Sequence, residues 1–146
     1  IFDHFGTEFI YPNDVRTISM CRQIEGASDR VSERVVGTKG TSDCCGTIWG
    51  ENAWTFDDKG QPVNPYVQEH ADLYAAIRSG SRINEAHALA HSTLAAVMGR
   101  MSAYTGQTVT WDFALNQSTL DLTPKNLAFG DLPQAPVAMP GETPLV

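Results

Sequence analysis

The order of its hydrophobic patterns constrains this chain most: short extended runs come first, and two long helical stripes follow. Ile1 to Tyr11 is rich in aromatic and β-branched residues, and Val15 to Gln23 reads as a returning strand. Between them, Tyr11-Pro12-Asn13-Asp14-Val15 reads as a turn, since Pro fixes φ and Asn and Asp tolerate the left-handed region. Glu25-Gly26-Ala27-Ser28 reads as a loop. Val31 to Val36 is a third strand, Gly37-Thr38-Lys39-Gly40 a tight hairpin connection and Thr41 to Trp49 a fourth strand. Ala53 to Phe56 is a fifth, closed by the turn Asp57-Asp58-Lys59-Gly60. Short strands joined by tight turns predict an antiparallel meander.

The helical signals are equally local. Asn64-Pro65 supplies an N-cap and a Pro at the first helical position. Tyr66, Val67, His70, Leu73, Tyr74 and Ile77 then fall on one face, and Gly80 follows as the stop. A second helix begins near Asn84-Glu85, carries Leu89, Ala90, Thr93, Leu94, Val97, Met98, Met101 and Tyr104 on its apolar stripe, and ends at Gly106. Thr108 to Trp111 reads as extended and Asp112 to Asn116 as one helical turn. Strands followed by helices predict an α+β fold: an open antiparallel β-sheet with helices packed on one face. Residues 1–122 are expected to form this domain. Residues 123–146, with Pro124, Pro133, Pro136, Pro140 and Pro144, are expected to form an irregular tail.

Composition narrows the partners. The chain has 146 residues, which fits one domain, and a formal charge of -7. With that acidity and no Lys/Arg run, neither a nucleic acid nor an anionic membrane is expected to bind. No apolar run is long enough to span a bilayer, and no basic-then-apolar leader is visible; localisation stays open. The strand pattern opens at Ile1 itself, so a piece of a longer protein is expected. Cys21, Cys44 and Cys45 are odd in number, and the adjacent pair would close only a strained ring; free thiols are expected.

The first turn fixes a register. If Pro12-Asn13-Asp14 is a three-residue hairpin loop, Tyr11 faces Val15, Phe9 faces Thr17, Thr7 faces Ser19 and Phe5 faces Cys21. Phe5, Phe9, Val15 and Cys21 then make an apolar face suited to a helix. The opposite face sets Glu8 against Ile18, Gly6 against Met20 and His4 against Arg22. It mixes Phe2, Ile18, Met20 and Ile24 with His4, Glu8, Arg16 and Arg22. Such a face reads as an interface or a ligand surface. His4 and Arg22 are the candidate binding residues, Arg for its fork of donors and His as donor or acceptor. The plainer alternative makes them rim residues, with Arg22 paired to a carboxylate.

Other constellations are weaker. His87 and His91 stand four apart on the second helix, which is half a metal site, but His-Ala-Leu-Ala-His lacks a glutamate base and no third ligand is evident. The pattern fits two half-exposed histidines better. His70 reads as a hydrogen-bonded core residue. There is no Gly-x-Gly-x-x-Gly fingerprint and no serine nucleophile elbow.

Several stretches, in order, resemble one family. They are Asp3-His4-Phe5, Tyr11-Pro12-Asn13, Ser19-Met20-Cys21-Arg22-Gln23 and Gly37-Thr38-Lys39-Gly40-Thr41. Then come Gln68-Glu69-His70 with Asp72-Leu73, Ala76-Ile77-Arg78, Gly80 and Asn84-Glu85-Ala86. Ser92-Thr93, Gly99-Arg100-Met101, Tyr104, Gly106 and Thr110-Trp111 complete the set. Over residues 1–122 the chain resembles the C-terminal domain of the glucose–fructose oxidoreductase/inositol dehydrogenase (Gfo/Idh/MocA) family, in particular a bacterial branch of it. The resemblance implies an N-terminal Rossmann domain in the parent protein that binds NAD or NADP, with none of that cofactor's fingerprint in this piece. It implies a substrate of the sugar or cyclitol class, oxidised or reduced at a secondary alcohol. It also implies a homo-oligomer formed through the exposed sheet face, which helps to line the substrate pocket. The family's Asp-x-x-x-His catalytic spacing is not met by Asp3-His4, so no catalytic role passes to His4. The piece alone is expected to be inactive. The alternative reading is a non-catalytic binding or dimerisation module that uses the same face.

Overall fold

The computed structural model describes residues 1–57, 59–60 and 63–146. They form two units, Ile1–Glu25 with Glu85–Val146, and Gly26–Asn84. The fold is α+β with antiparallel sheets. The strands divide between two sheets, one in each unit, rather than joining in a single meander.

In the first unit, strand β1 (His4–Tyr11) turns at Pro12–Asp14 and returns as β2 (Val15–Arg22). Asn13 and Asp14 both take left-handed backbone, at φ 63° and 58°, which this pair of residue types tolerates. The turn fixes the expected register from Tyr11 against Val15 to His4 against Arg22. Gln23 N–H donates to the Asp3 carbonyl at 2.6 Å and carries the ladder one step further. Along β1, burial alternates: Phe5, Thr7 and Phe9 are half-buried, while His4, Gly6, Glu8 and Ile10 are exposed. That is the period-two signature of a strand covered on one side.

The cover is helix α2 (Ala86–Thr105). It meets β1 where Gly99 lets the helix backbone come down on Thr7 and Phe9. Here the structure corrects two expectations. The face expected to be covered across both strands is covered on β1 only, since Val15 stays 58% exposed and Cys21 is exposed as well. On α2, burial gathers in the last two turns, at Gly99, Met101 and Thr105, while Leu89, Ala90 and Thr93 lie in the open. The reason is local: close approach occurs at the residue without a Cβ, and the first turns of α2 have no such seat.

Gly106 ends α2 at φ 70°, its N–H donating to the Ser102 carbonyl. Thr108 to Thr110 belongs to no helix or strand, Trp111, expected as extended, is already helical, and Phe113–Gln117 makes one π-type turn. Residues 123–146 hold no helix or strand. Their last part returns to α2: Gly141 N–H donates to the Thr105 carbonyl at 2.8 Å, which satisfies a carbonyl that the helix end would leave open. Ser118 Oγ donates to the Val146 carbonyl at 2.7 Å.

In the second unit, β3 (Val35–Gly37), β4 (Gly40–Ser42), β5 (Thr47–Gly50) and β6 (Trp54–Thr55) form a four-stranded antiparallel meander in that order. Gly37 pairs with Gly40 around the expected tight connection, and Gly40 pairs with Gly50. At that second pair the strands approach so closely that a Cβ on Gly40 would fall on the Trp49 carbonyl oxygen. Two strands depart from expectation. The third begins at Val35, not Val31. The fourth is broken into β4 and β5, because Asp43 captures the backbone: its Oδ1 accepts from Cys45 N–H and Thr47 N–H, both at 3.0 Å. Ser42 Oγ accepts from Cys44 N–H at 3.1 Å and donates to the Thr47 carbonyl at 2.8 Å. Cys44 at φ 57° and Gly46 at φ 105° complete the reversal. The expected turn at 57–60 includes Asp58, which lies outside the described residues; Lys59 N–H does donate to Asp57 Oδ1.

Helix α1 (Pro65–Ser79) starts and stops as its sequence dictates. Asn64 Oδ1 accepts from Tyr66 N–H at 3.0 Å, and Gly80 closes the helix at φ 71°. Its stripe, however, is exposed at Tyr66, Val67, Leu73, Tyr74 and Ile77, and Ala76 is its buried residue. His70 is therefore no core residue: it is exposed, and its Nδ1 lies 2.6 Å from the Tyr66 carbonyl one turn back.

Candidate functional site

The exposed face of the β1–β2 hairpin carries the candidate residues. Side chains alternate across a strand, so covering Phe5, Thr7 and Phe9 with α2 sends His4, Glu8, Ile10, Arg16, Ile18, Met20 and Arg22 to the other side. Ile10, Ile18 and Met20 are 63%, 71% and 77% exposed there. Ile18 and Met20 form a short apolar strip on β2 between Arg16 and Arg22, facing Glu8 and Gly6, while Ile10 pairs with Arg16 at the turn end.

At the turn end, Arg16 is a bridge. Its Nη1 donates to Glu8 Oε1 at 2.9 Å, and its Nε and Nη2 both donate to Asp14 Oδ1, at 3.0 and 2.8 Å. The Glu8 hydrogen bond, then that of Asp14, raise the Arg16 pKa above its ordinary value. Arg16 therefore holds the turn to β1 and has its donors engaged. All three side chains are about half exposed or more, so the bridge shapes the face more than it stabilises the fold.

At the open end, His4 and Arg22 occupy paired positions. His4 Nδ1 lies 2.6 Å from Asp3 Oδ1, with both side chains largely exposed. That carboxylate orients the imidazole and leaves Nε2 as its outward polar atom. Arg22 is half-buried and donates through Nη1 to the Ile24 carbonyl at 3.3 Å. The strand pairing thus sets a histidine and an arginine side by side at the edge of an apolar strip. This combination can hold a hydroxylated or anionic small molecule, or pack at a subunit rim.

Other candidates resolve differently. The His87 and His91 rings lie 3.9 Å apart between centroids, and His91 meets the edge of Trp111 at 5.0 Å. They pack with one another and with Trp111, and no cluster of three His, Cys, Asp or Glu side chains with metal-holding geometry occurs among the described residues. Cys21, Cys44 and Cys45 are free and exposed. No helix among the described residues is long and apolar enough to cross a membrane. The described strand pairs are all antiparallel, and no parallel strand–helix–strand crossover of the kind that cradles a dinucleotide occurs among the described residues.

One feature escaped sequence reasoning altogether. A cavity of about 350 Å³ lies in the first unit between the end of α2 and the returning tail, with Arg100, Tyr104, Leu120, Leu122, Val137 and Leu145 in its wall. Its residues are far apart along the chain, and no periodicity announces that the tail returns. Set against family models, curated proteins and solved structures, the chain matches none of them.

Proposed function

We propose that this chain is the substrate-side and subunit-contact domain of a nicotinamide-dependent oxidoreductase of the Gfo/Idh/MocA kind, acting on a secondary alcohol of a sugar or cyclitol. One observation supports this reading above the others. Helix α2 covers one face of the hairpin along β1, and the opposite face offers exposed Ile18 and Met20 beside the His4–Arg22 pair, with Ile10 at the turn end. A wall of that composition suits a polyol, with apolar carbon faces and a ring of hydroxyls, better than it suits bulk water. In this reading NAD or NADP is held by residues outside this chain, and hydride transfer is the cofactor's chemistry. The chain's own part is to bind and orient: Arg22 donates to substrate hydroxyls from one strand, and His4, steadied by Asp3, does so from the other.

The test is the whole product of the encoding reading frame. The expected frame carries a Gly-rich strand–helix–strand unit and an Asp-x-x-x-His segment upstream of Ile1. Its purified product is expected to reduce NAD or NADP with a sugar or cyclitol, and Arg22→Ala is expected to raise KM about tenfold or more, the loss of one charge-assisted contact. A frame that opens at or just before Ile1 overturns the reading.

A second reading has its own support in the exposed apolar strip: a non-catalytic module that dimerises through this face. Both readings use this face as a subunit contact, so turnover of NAD or NADP by the whole product separates them, while a strictly monomeric chain in sedimentation over a range of concentrations speaks against a strong dimer face in either.

A further inference from the structure

Cys44 and Cys45 are adjacent, and both thiols are free and exposed. On a strand their side chains would point to opposite faces. The reversal between β4 and β5 removes that constraint, since Cys44 takes left-handed backbone at φ 57°. Both cysteine N–H groups are engaged by the turn itself: Ser42 Oγ accepts from Cys44 N–H at 3.1 Å, and Asp43 Oδ1 accepts from Cys45 N–H at 3.0 Å. The same carboxylate oxygen accepts from Thr47 N–H. The backbone that carries the two thiols is therefore fixed before any ligand arrives, which lowers the cost of ordering it on binding.

The spacing decides what two such thiols can hold. Across the trans peptide between them the Cα atoms stand about 3.8 Å apart. A disulfide ordinarily spans about 4.4–6.8 Å, so direct closure of the pair is strained. One atom inserted between the sulfurs enlarges the ring and relieves it. A structural zinc ion takes four ligands, and no group of three His, Cys, Asp or Glu side chains able to hold a metal occurs among the described residues. A linear two-coordinate ion needs its sulfurs on opposite sides, which adjacent residues resist. A pyramidal thiophilic centre takes both sulfurs from one side. Trivalent arsenic is such a centre, and thiolates are the ligands that suit a soft one. Arsenous acid is uncharged at neutral pH, so neither Asp43 nor the formal charge of -7 repels it.

We infer that the Cys44–Cys45 turn is a capture site for trivalent arsenic, taken up as arsenous acid. Each sulfur displaces one hydroxyl: an As–S bond forms, an As–O bond breaks, and the thiol proton leaves with the hydroxyl as water. The third hydroxyl stays on arsenic. Arsenic remains trivalent and neither sulfur is oxidised, so the step needs no oxidant or reductant. Once the first bond has formed, the second forms within one molecule, and a high effective concentration of the neighbouring thiol drives it.

Alkylation mapping of the reduced full chain tests this directly. The chain is incubated with sodium arsenite and then with iodoacetamide, and the labelled cysteines are located by peptide mass. Without arsenite, Cys21, Cys44 and Cys45 are all expected to be labelled, since all three are exposed. With arsenite, Cys44 and Cys45 are expected to be protected together, while Cys21, a single thiol on β2, is still labelled. Excess 2,3-dimercaptopropanol is expected to restore labelling of both. Cys45→Ser is expected to raise the arsenite concentration that half-protects Cys44 about a hundredfold or more, because the second bond is lost. Labelling of Cys44 and Cys45 that arsenite leaves unchanged overturns the assignment, as does protection that falls equally on Cys21. Undiminished protection of Cys44 in Cys45→Ser does so too. The comparison with Cys21 uses the unaltered chain, so it stands even if the variant fails to fold.

Discussion

Phe9 on β1 and Gly99 on α2 meet so closely that a Cβ built on the glycine would lie 3.0 Å from Phe9 Cζ. Thr7 Oγ1 reaches the Gly99 carbonyl from the same strand face, at 3.5 Å. This is the seat on which the hairpin is held, and it decides which face of β1 is covered. Everything offered by His4, Glu8, Ile10 and their partners on β2 follows from it.

Replacing Gly99 tests that seat. Gly99→Leu is expected to cost about 1–3 kcal/mol, because the added side chain must displace Phe9 or lift the helix. Gly99→Ala is expected to stay within about 1 kcal/mol of the parent, since helix propensity favours Ala by nearly that amount and the ring tip can yield. Thermal unfolding of the two variants reads the difference. Equal melting points would show that α2 does not bear on Phe9.

The turn is the second determinant. Asn13 has φ 63° and ψ 28°, in the left-handed region. Asn13→Val is expected to destabilise the hairpin by about 1–2 kcal/mol, since a β-branched residue meets the following carbonyl there. Asn13→Gly is expected to be neutral. Cross-strand amide shifts between Tyr11 and Val15 report the register; a Val variant with unchanged shifts and stability contradicts this account.

Much of this was legible in the sequence where short-range chemistry sets the structure. Pro12-Asn13-Asp14 fixed the turn, and with it the whole β1–β2 register, because period-two alternation leaves no freedom once one pair is set. Asn64-Pro65 and Gly80 bracketed α1. What failed was of two kinds. Between Ser42 and Thr47, the paired cysteines read as strand, whereas the turn chemistry of Asp43 and Gly46 on either side of them prevails. For α1 and the first half of α2, periodicity gave a face but not what covers it; Leu73, Ile77 and Leu89 lie on apolar stripes and are exposed. Of the site, the pairing of His4 with Arg22 was readable, while the Arg100 cavity depends on a tail whose return no local pattern encodes.

Met20 separates fold from association. It is 77% exposed at the centre of the open face, so Met20→Asp is expected to change stability by no more than about 0.5 kcal/mol. If the face is a subunit contact, the same change buries a charge in an apolar strip and is expected to weaken self-association at least tenfold. Sedimentation equilibrium of parent and variant measures this. Identical association constants would remove the face from any subunit contact and leave it to substrate alone.

Asp43 gives the unit containing β3 to β6 a defined dependence on pH. The N–H groups of Cys45 and then Thr47 hydrogen-bond its carboxylate and hold its pKa below the ordinary value. A depressed pKa in the folded state favours folding above the unfolded value, near 3.9, and that contribution is lost as pH falls through the folded value. The β4–β5 turn is therefore expected to be intact at neutral and mildly acidic pH and to loosen only well into acid. The amide shifts of Cys45 and Thr47, followed from pH 6 to pH 2, are expected to titrate together with a midpoint below about 3.9. Asp43→Asn keeps an acceptor oxygen that does not ionise, so in that variant both shifts are expected to stay flat over the same range. A midpoint at or above the ordinary carboxylate value, or a titration that survives Asp43→Asn, would show that another group governs the turn.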